Sequence, residues 1–237
     1  MREELLWGGV RLQTGDQFPL GTDSVLLADF AAFAREARIA DLGCGCGAVG
    51  LMLLAKDPSQ RVTGVELSPE AAALARENAA RSALSDRFTV LEGDLRRYRA
   101  LLPANSFSGV IANPPYYPAG SGRASRTLES ARSETSCTLM DLCRCASWLL
   151  RFGGSFCLVH KPERLAALCC ALRACRLEPK RLRLARHRAN AAPSLVLLES
   201  RLGGRPGLVW QDDLILFNPD GSESAEARRI YHREDAR

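Results

Sequence analysis

From Arg38 to the end of "SLVLLES" at Ser200, short β-type runs alternate with helical ones, and no other property of the chain restricts its fold as much. "RIADLG" leads to "VGLMLLAK", and "RVTGVEL" leads to "SPEAAALARENAARS", where Ser68 suits an N-cap, Pro69 the first turn and Glu70 the position behind it. "RFTVLEGD" passes into a basic helical stretch, and "FSGVIANPP" is the fourth β-type run. "TLMDLCRCASWLLRFGG" reads as a helix closed by glycine, followed by "SFCLVH". "PERLAALCCALRAC" is a further helix, and "KRLRLARHR" and "SLVLLES" are two late strands. Strands and helices in alternation make an α/β fold, a mostly parallel, doubly wound sheet of seven strands with helices on both faces. Ligands of such sheets bind beyond the carboxyl ends of the strands.

A single domain over residues 1–237 accommodates all of this. Residues 1–36 form a hairpin ("GGVRLQTGDQFP") and an amphipathic helix ("TDSVLLADFAAFA") covering the site. Residues 37–203 form the core, and residues 204–237 add a last strand ("LILFNPDGS") and a tail. No apolar run approaches the roughly 20 residues that span a bilayer, and "MREELLWGGV" is too acidic for a signal peptide. The expectation is a cytoplasmic protein without membrane partners.

The nine cysteines are odd in number, scattered and set among apolar residues, which reads as buried thiols rather than disulfides. Cys44 and Cys46 lack a zinc spacing, and three histidines provide no ligand pair, so no metal is expected. Net charge is +5, and "KRLRLARHR" (180–188) holds five Lys/Arg and no acid, which equals the whole excess. Arg181, Arg183 and Arg186 are thereby candidate phosphate contacts, with a plain solvated strand edge as the equal alternative.

"ADLGCGCG" sets Asp41 at a strand end, ahead of Gly43, Gly45 and Gly47. Glycines at such a turn let a ligand approach the backbone and permit positive φ. Glu66, at the end of the next strand, falls 19 residues after Gly47, where an acid can bind ribose hydroxyls. Asp94 ends the third strand at the same rim, where it can meet an adenine amino group. A helix cap or a solvated turn would explain each acid singly; three at successive strand ends are harder to explain that way. The spacing G-x-G-x-G, preceded by an acid, would repel a pyrophosphate but suits a ligand bearing ammonium and sulfonium groups. That favours S-adenosyl-L-methionine over a dinucleotide.

The fourth run ends in "VIANPPYYP", residues 110–118. Two prolines fix their own φ, remove two donors and push the preceding residues out of the helical region. Asn113 therefore sits on stiff backbone that cannot extend a strand.

Together, "DLGCGCG", "VEL", "GD" and "NPPY" resemble the motifs of class I, Rossmann-like S-adenosylmethionine-dependent methyltransferases, among which NPPY marks enzymes acting on a planar nitrogen. The likeness runs from about Phe18 to Tyr231. "FPLGTDSVLLADF", "ARSETSCTLMDLC", "HKPERL" and "DGSESAEARRI" narrow it to the bacterial tRNA adenine-N6 methyltransferase family, of the tRNA1(Val) adenine-37 type. The resemblance implies S-adenosyl-L-methionine as cofactor, tRNA as substrate and methylation of adenine N6 beside the anticodon, and the sequence leaves monomer or homodimer open.

By that resemblance Asp41 lies near the methionine amino group, Glu66 on the ribose and Asp94 on the cofactor adenine. Thr22 and Asp23, in "GTD", close the cofactor pocket, with a helix N-cap as the alternative. Asn113 borders the cofactor. Its side-chain oxygen and the Pro114 carbonyl accept the two hydrogens of the target amine, and Tyr116 offers a face for the extruded base. Tyr117 is wall, Cys44 and Cys46 are fillers, and Arg132, in "ARSE", contacts substrate. Ser133 departs from the aromatic or histidine usual between that Arg and Glu.

Two other readings stand beside this one. Protein glutamine-N5 methyltransferases of release factors share NPPY but carry a helical domain in front, whereas only 40 residues precede Asp41. A non-catalytic S-adenosylmethionine- or RNA-binding adaptor would have no need of the amine clamp.

Overall fold

The computed structural model describes residues 2–14, 20–114 and 137–232. Its central sheet runs in the order β10-β8-β9-β7-β6-β3-β4-β5, with β11 also pairing β8. The seven expected strands are β3 (Arg38–Leu42), β4 (Arg61–Glu66), β5 (Phe88–Glu92), β6 (Phe107–Ala112), β7 (Leu150–His160), β8 (Leu177–Arg186) and β9 (Pro193–Leu202). Only β9 runs antiparallel, against both β7 and β8. Two strands of two residues, β10 (Val209–Trp210) and β11 (Leu214–Ile215), lie parallel to β8 and bring the total to nine.

Successive strand residues face opposite sides, and both sides are apolar. Ile39, Ile111, Cys157, Val159, Leu195 and Leu197 enter one core. Their neighbours Ala40, Val110, Phe156, Leu158, Val196 and Leu198 enter the other. Such two-sided burial is what winds helices onto both faces. Helices α1 (Thr22–Phe30) and α2 (Ala48–Lys56) and the buried alanines of α3 (Pro69–Arg81) cover the first core. On the second side lie α5 (Leu139–Leu149) and α6 (Leu165–Ala174), with the short α4 (Tyr98–Leu101) packed against it. Ser68 caps α3 as expected, accepting the Ala71 N–H at 3.3 Å, with Pro69 in the first turn.

Four local expectations are corrected. The hairpin pairs β1 (Arg2–Leu5) with β2 (Arg11–Thr14), so Gly8 and Gly9 form its turn at positive φ and do not begin its first strand. That turn packs on α2, since a Cβ on Gly8 would lie 2.7 Å from the Ala55 Cβ.

Helix α1 ends at Phe30 instead of continuing through "AAFA", because Ala31 turns to extended backbone. The Lys56 ammonium donates to the carbonyls of Asp29 at 2.7 Å and Ala31 at 3.0 Å, satisfying that end. Nor is α1 simply amphipathic: Val25, Leu26, Leu27, Ala28 and Phe30 are all buried, so it is a core helix.

Third, α5 is not closed by glycine. It passes directly into β7 at Leu150. Gly153 and Gly154 lie within β7, where pairing jumps from Phe107↔Leu150 to Gly109↔Ser155. Gly153 has φ +79°, and a Cβ on Gly154 would meet the Arg151 carbonyl at 2.9 Å, so the bulge requires both glycines. Fourth, the last strand contracts to Leu214–Ile215, and α7 (Ala225–Ile230) follows a turn.

The hairpin is held to the core by a buried amide. Asn78 on α3 accepts the Gln13 N–H at 2.7 Å and donates to the carbonyls of Gln13 (3.0 Å) and Cys46 (2.9 Å). One side chain thus joins β2, α3 and the glycine turn. Among the described residues no helix is long and apolar enough to cross a membrane.

Candidate active site

The chain order of the sheet reverses between β3 and β6: from β3 it proceeds to β4 and β5, and from β6 to β7. A crevice opens at the carboxyl ends of the strands flanking such a reversal. Parallel register pairs Asp41 with Ile111, so the turn starting at Gly43 and the Asn113-Pro114 pair leave the sheet side by side. The two motifs, about seventy residues apart in the chain, are neighbours because of that topology.

Gly43, Gly45 and Gly47 all have positive φ, of 73°, 54° and 85°. They divide by surroundings. A Cβ on Gly47 would press on the Phe88 ring at 3.1 Å, so this glycine is required by packing. Nothing lies within 4 Å of a Cβ on Gly43 or Gly45, and the backbone there is open to an approaching ligand. Cys44 and Cys46 are buried, and desolvation raises both thiols. All nine cysteines are free thiols.

Two acids adjoin the turn. Asp41 is 1% exposed and accepts the Gly50 N–H at 3.1 Å. Gly47, the N-cap of α2, has no side chain to offer, and Asp41 supplies that cap from the neighbouring strand. Burial pushes its carboxyl up to about 7, opposed by the Gly50 hydrogen bond and assisted by the charge of Glu66. Asp41 therefore lies beneath the loop, bonded to the first turn of α2. Glu66 is at the rim: its Oε2 accepts the Gly45 N–H at 2.8 Å and its Oε1 the Ser68 N–H at 2.9 Å.

Asp94 caps a short 3-10 turn by accepting the Arg96 N–H at 2.9 Å. The Arg96 guanidinium also lies on its carboxylate, which that bond holds below the usual carboxylate range. In this structure Asp94 has the cap geometry left open by the sequence, and Arg96 stands between its charge and solvent.

Asn113 and Pro114 follow β6 directly. The Asn113 Nδ2 donates to Ser24 Oγ at 3.0 Å, across 89 residues. Nothing local in the sequence marks Ser24. The flanking "GTD" does, but its members are placed elsewhere. Gly21 is the N-cap of α1, Thr22 is exposed, and Asp23 accepts the Ser24 N–H at 2.8 Å. Thr22 borders a cavity of about 300 Å³ with Glu4, Phe217 and Tyr231, which no residue of the glycine turn lines. Tyr116, Tyr117, Arg132 and Ser133 lie outside the described residues.

Within the basic run on β8, Arg181, Arg183 and Arg186 each pair with an acid. Arg181 pairs with Glu199 at 2.8 Å, donates to the Phe30 carbonyl at 2.8 Å and stacks 4.0 Å from the Phe30 ring centroid. Arg183 pairs with Glu226 of α7 at 2.7 Å, and Arg186 with Asp213. Each guanidinium is committed to an acid supplied by β9, β11's flank or α7, which cover β8 on both sides. These three arginines form a partly buried seam of ion pairs within the chain.

An open glycine turn, a rim carboxylate and a buried carboxylate beneath them fit a nucleoside carrying cationic groups, and S-adenosyl-L-methionine is such a ligand. Gly43, Gly45 and Glu66 would hold it. No group of three or more metal-ligating side chains occurs among the described residues.

Comparison with known proteins agrees with this geometry. The methyltransferase small domain family matches residues 16–167. A tRNA1(Val) (adenine(37)-N6)-methyltransferase of Porphyromonas gingivalis is 34% identical over 226 residues, covering 92% of this chain and 89% of that protein. A solved structure from Agrobacterium tumefaciens, described as a predicted O-methyltransferase, superposes with a TM-score of 0.74 at 29% identity, over 89% of this chain and 96% of its own. Geranyl diphosphate C-methyltransferase from Streptomyces coelicolor, solved with S-adenosyl-L-homocysteine, shares the fold at a TM-score of 0.55 and 15% identity, over 76% of this chain and 79% of that one. By its strand order, its paired motifs and these likenesses, the chain belongs to the methyltransferase small domain family, alongside the tRNA1(Val) (adenine(37)-N6)-methyltransferases.

Proposed function

We propose that this protein methylates the exocyclic N6 of an adenine in tRNA, at position 37 beside the anticodon, using S-adenosyl-L-methionine. The observation that carries the reading is the placement of the Asn113 amide beside the open glycine turn, at the reversal point of the sheet. When bound, S-adenosyl-L-methionine supplies an electrophilic methyl carbon on a sulfonium.

The exocyclic amine is a weak nucleophile because its lone pair is delocalised into the ring. Two acceptors, the Asn113 Oδ1 and the Pro114 carbonyl, would take its two hydrogens and turn the lone pair out of conjugation. They would also stabilise the positive charge that develops on nitrogen. Pro114 stiffens that geometry by fixing its own φ. Glu66 would bind the ribose hydroxyls, exchanging its bond to Gly45 for bonds to the ligand. Asp41 caps α2 behind the same turn, and the negative charge of Glu66 at the rim favours a cationic ligand. Tyr116 would stack the base, worth roughly 1–3 kcal/mol, and Arg132 would contact the RNA. No side chain is needed as base, since the methylated amine can lose its proton to water.

Purified protein with tritiated S-adenosyl-L-methionine, offered bulk tRNA, release factor and DNA, tests the reading. Label entering tRNA, recovered as N6-methyladenosine, is expected. Label entering only release factor would establish the glutamine reading, and no label at all the adaptor reading. Asn113→Ala is expected to retain cofactor binding and lose most turnover, and a normal rate would remove Asn113 from catalysis.

A further inference from the structure

We infer that Ser24 is a positioning residue for the reaction: it holds the plane of the Asn113 amide that faces the target amine. The inference rests on the reading of Asn113 as an acceptor for that amine.

A carboxamide has two edges of nearly equal shape and opposite chemistry, an NH2 donor and a carbonyl acceptor. Only the acceptor edge can take a hydrogen from an adenine amine. A half-turn about the last side-chain torsion would aim N–H bonds at that amine and repel it. Neither the length of the side chain nor the stiffness of Pro114 discriminates between these two states. A polar partner at one edge fixes the amide plane, although a hydroxyl can bond to either edge.

Ser24 is that partner. Its Oγ receives the Asn113 Nδ2 hydrogen at 3.0 Å, which places the oxygen edge on the side away from α1. The serine is itself held firmly. Its N–H donates to Asp23 Oδ1 at 2.8 Å and to the Gly21 carbonyl at 3.1 Å in the first turn of α1. Helix α1 is buried along most of its length, tied at its far end by Lys56 and joined to α7 through Asp29 and Arg229 at 3.2 Å. The hydroxyl is presented from a rigid element, which is what fixing an amide plane requires. It also explains how a helix outside the glycine turn and the Asn-Pro pair takes part in the site.

The proposal is tested by steady-state and single-turnover methylation of tRNA, with Kd for S-adenosyl-L-methionine measured separately. Ser24→Ala is expected to lower kcat about tenfold, one hydrogen bond's worth, with the cofactor Kd unchanged within about twofold. Ser24→Thr retains the hydroxyl and is expected to remain near the wild-type rate. Ser24→Val, of the same shape as Thr without the oxygen, should behave as Ala does and controls for packing. In an Asn113→Ala background Ser24→Ala is expected to cost nothing further, because no amide remains to orient.

An equal loss in both backgrounds would overturn the inference by showing a structural role. So would a full rate in Ser24→Ala when Asn113→Ala is slow, or equal rates for the Thr and Val variants. A normal rate in Asn113→Ala alone would instead defeat the underlying assignment of Asn113, and the inference with it.

Discussion

Glu66 grips the backbone of Gly45: its carboxylate accepts that N–H at 2.8 Å, while its second oxygen accepts the N–H of Ser68. The acid at the end of β4 and the open turn after β3 are thereby fastened together without a ligand. A ribose entering the crevice meets a carboxylate already aimed, and it exchanges one hydrogen bond for another. Glu66→Gln keeps the size but leaves one acceptor where two served. Its affinity for S-adenosyl-L-methionine is expected to fall about tenfold, equivalent to roughly 1–2 kcal/mol. Titration calorimetry reads this directly, and wild-type affinity would detach Glu66 from the cofactor.

Asp41 makes stability depend on pH with an unusual sign. Its carboxyl is raised from 3.8 to about 7, chiefly by burial. Between those values the folded protein keeps a proton that the unfolded chain has lost, so this group's contribution falls as pH rises through the window and is level above about 7. Asp41→Asn preserves an acceptor for the Gly50 N–H and removes the ionisation. The melting temperature of the variant is expected to gain on the wild type between pH 5 and pH 8. Parallel profiles would mean that Asp41 titrates as an ordinary carboxylate.

The arginine seam on β8 separates folding from RNA binding. Arg181→Ala leaves Glu199, which is 8% exposed, with the Ser155 hydroxyl at 3.3 Å and Arg201 at 3.9 Å in place of its closest cation, and is expected to cost about 2–3 kcal/mol of stability. Arg183→Ala, whose partner Glu226 is more accessible, should cost about 1 kcal/mol. Neither is expected to alter the salt dependence of tRNA binding. A slope reduced by about one for each arginine removed would return these residues to the phosphate-contact role.

Asn78 joins the hairpin to the glycine turn. Asn78→Ala leaves the Gln13 N–H and the carbonyls of Gln13 and Cys46 without this partner, and is expected to lower stability by about 2–3 kcal/mol. Because Cys46 belongs to the turn, cofactor affinity should fall as well. Chemical denaturation together with cofactor titration checks both, and unchanged affinity would confine Asn78 to holding the hairpin.

Much of this arrangement was legible before folding was considered. The alternation from Arg38 onward anticipates β3 to β9, and Ser68-Pro69 anticipates the start of α3, because those signals lie within a few residues of what they specify. The glycines at 43, 45 and 47, Glu66 and Asn113 likewise announce a site at strand ends. Two of the misread boundaries share one cause. Gly8-Gly9 and Gly153-Gly154 are good turn or helix-end residues in isolation, and their use as a hairpin turn and a strand bulge is set by Ala55 and by Phe107, each more than forty residues distant.

Local sequence therefore determined the elements, their order and the chemistry carried at their tips. Tertiary structure alone decided the partners: Ser24 for Asn113, Gly50 for Asp41, Glu199 and Glu226 for arginines that look unpaired in the chain. The physical reason is one of range. Backbone propensity and capping act over a few residues, whereas hydrogen bonds and ion pairs form between whatever surfaces packing brings together, and packing is settled by the whole sheet.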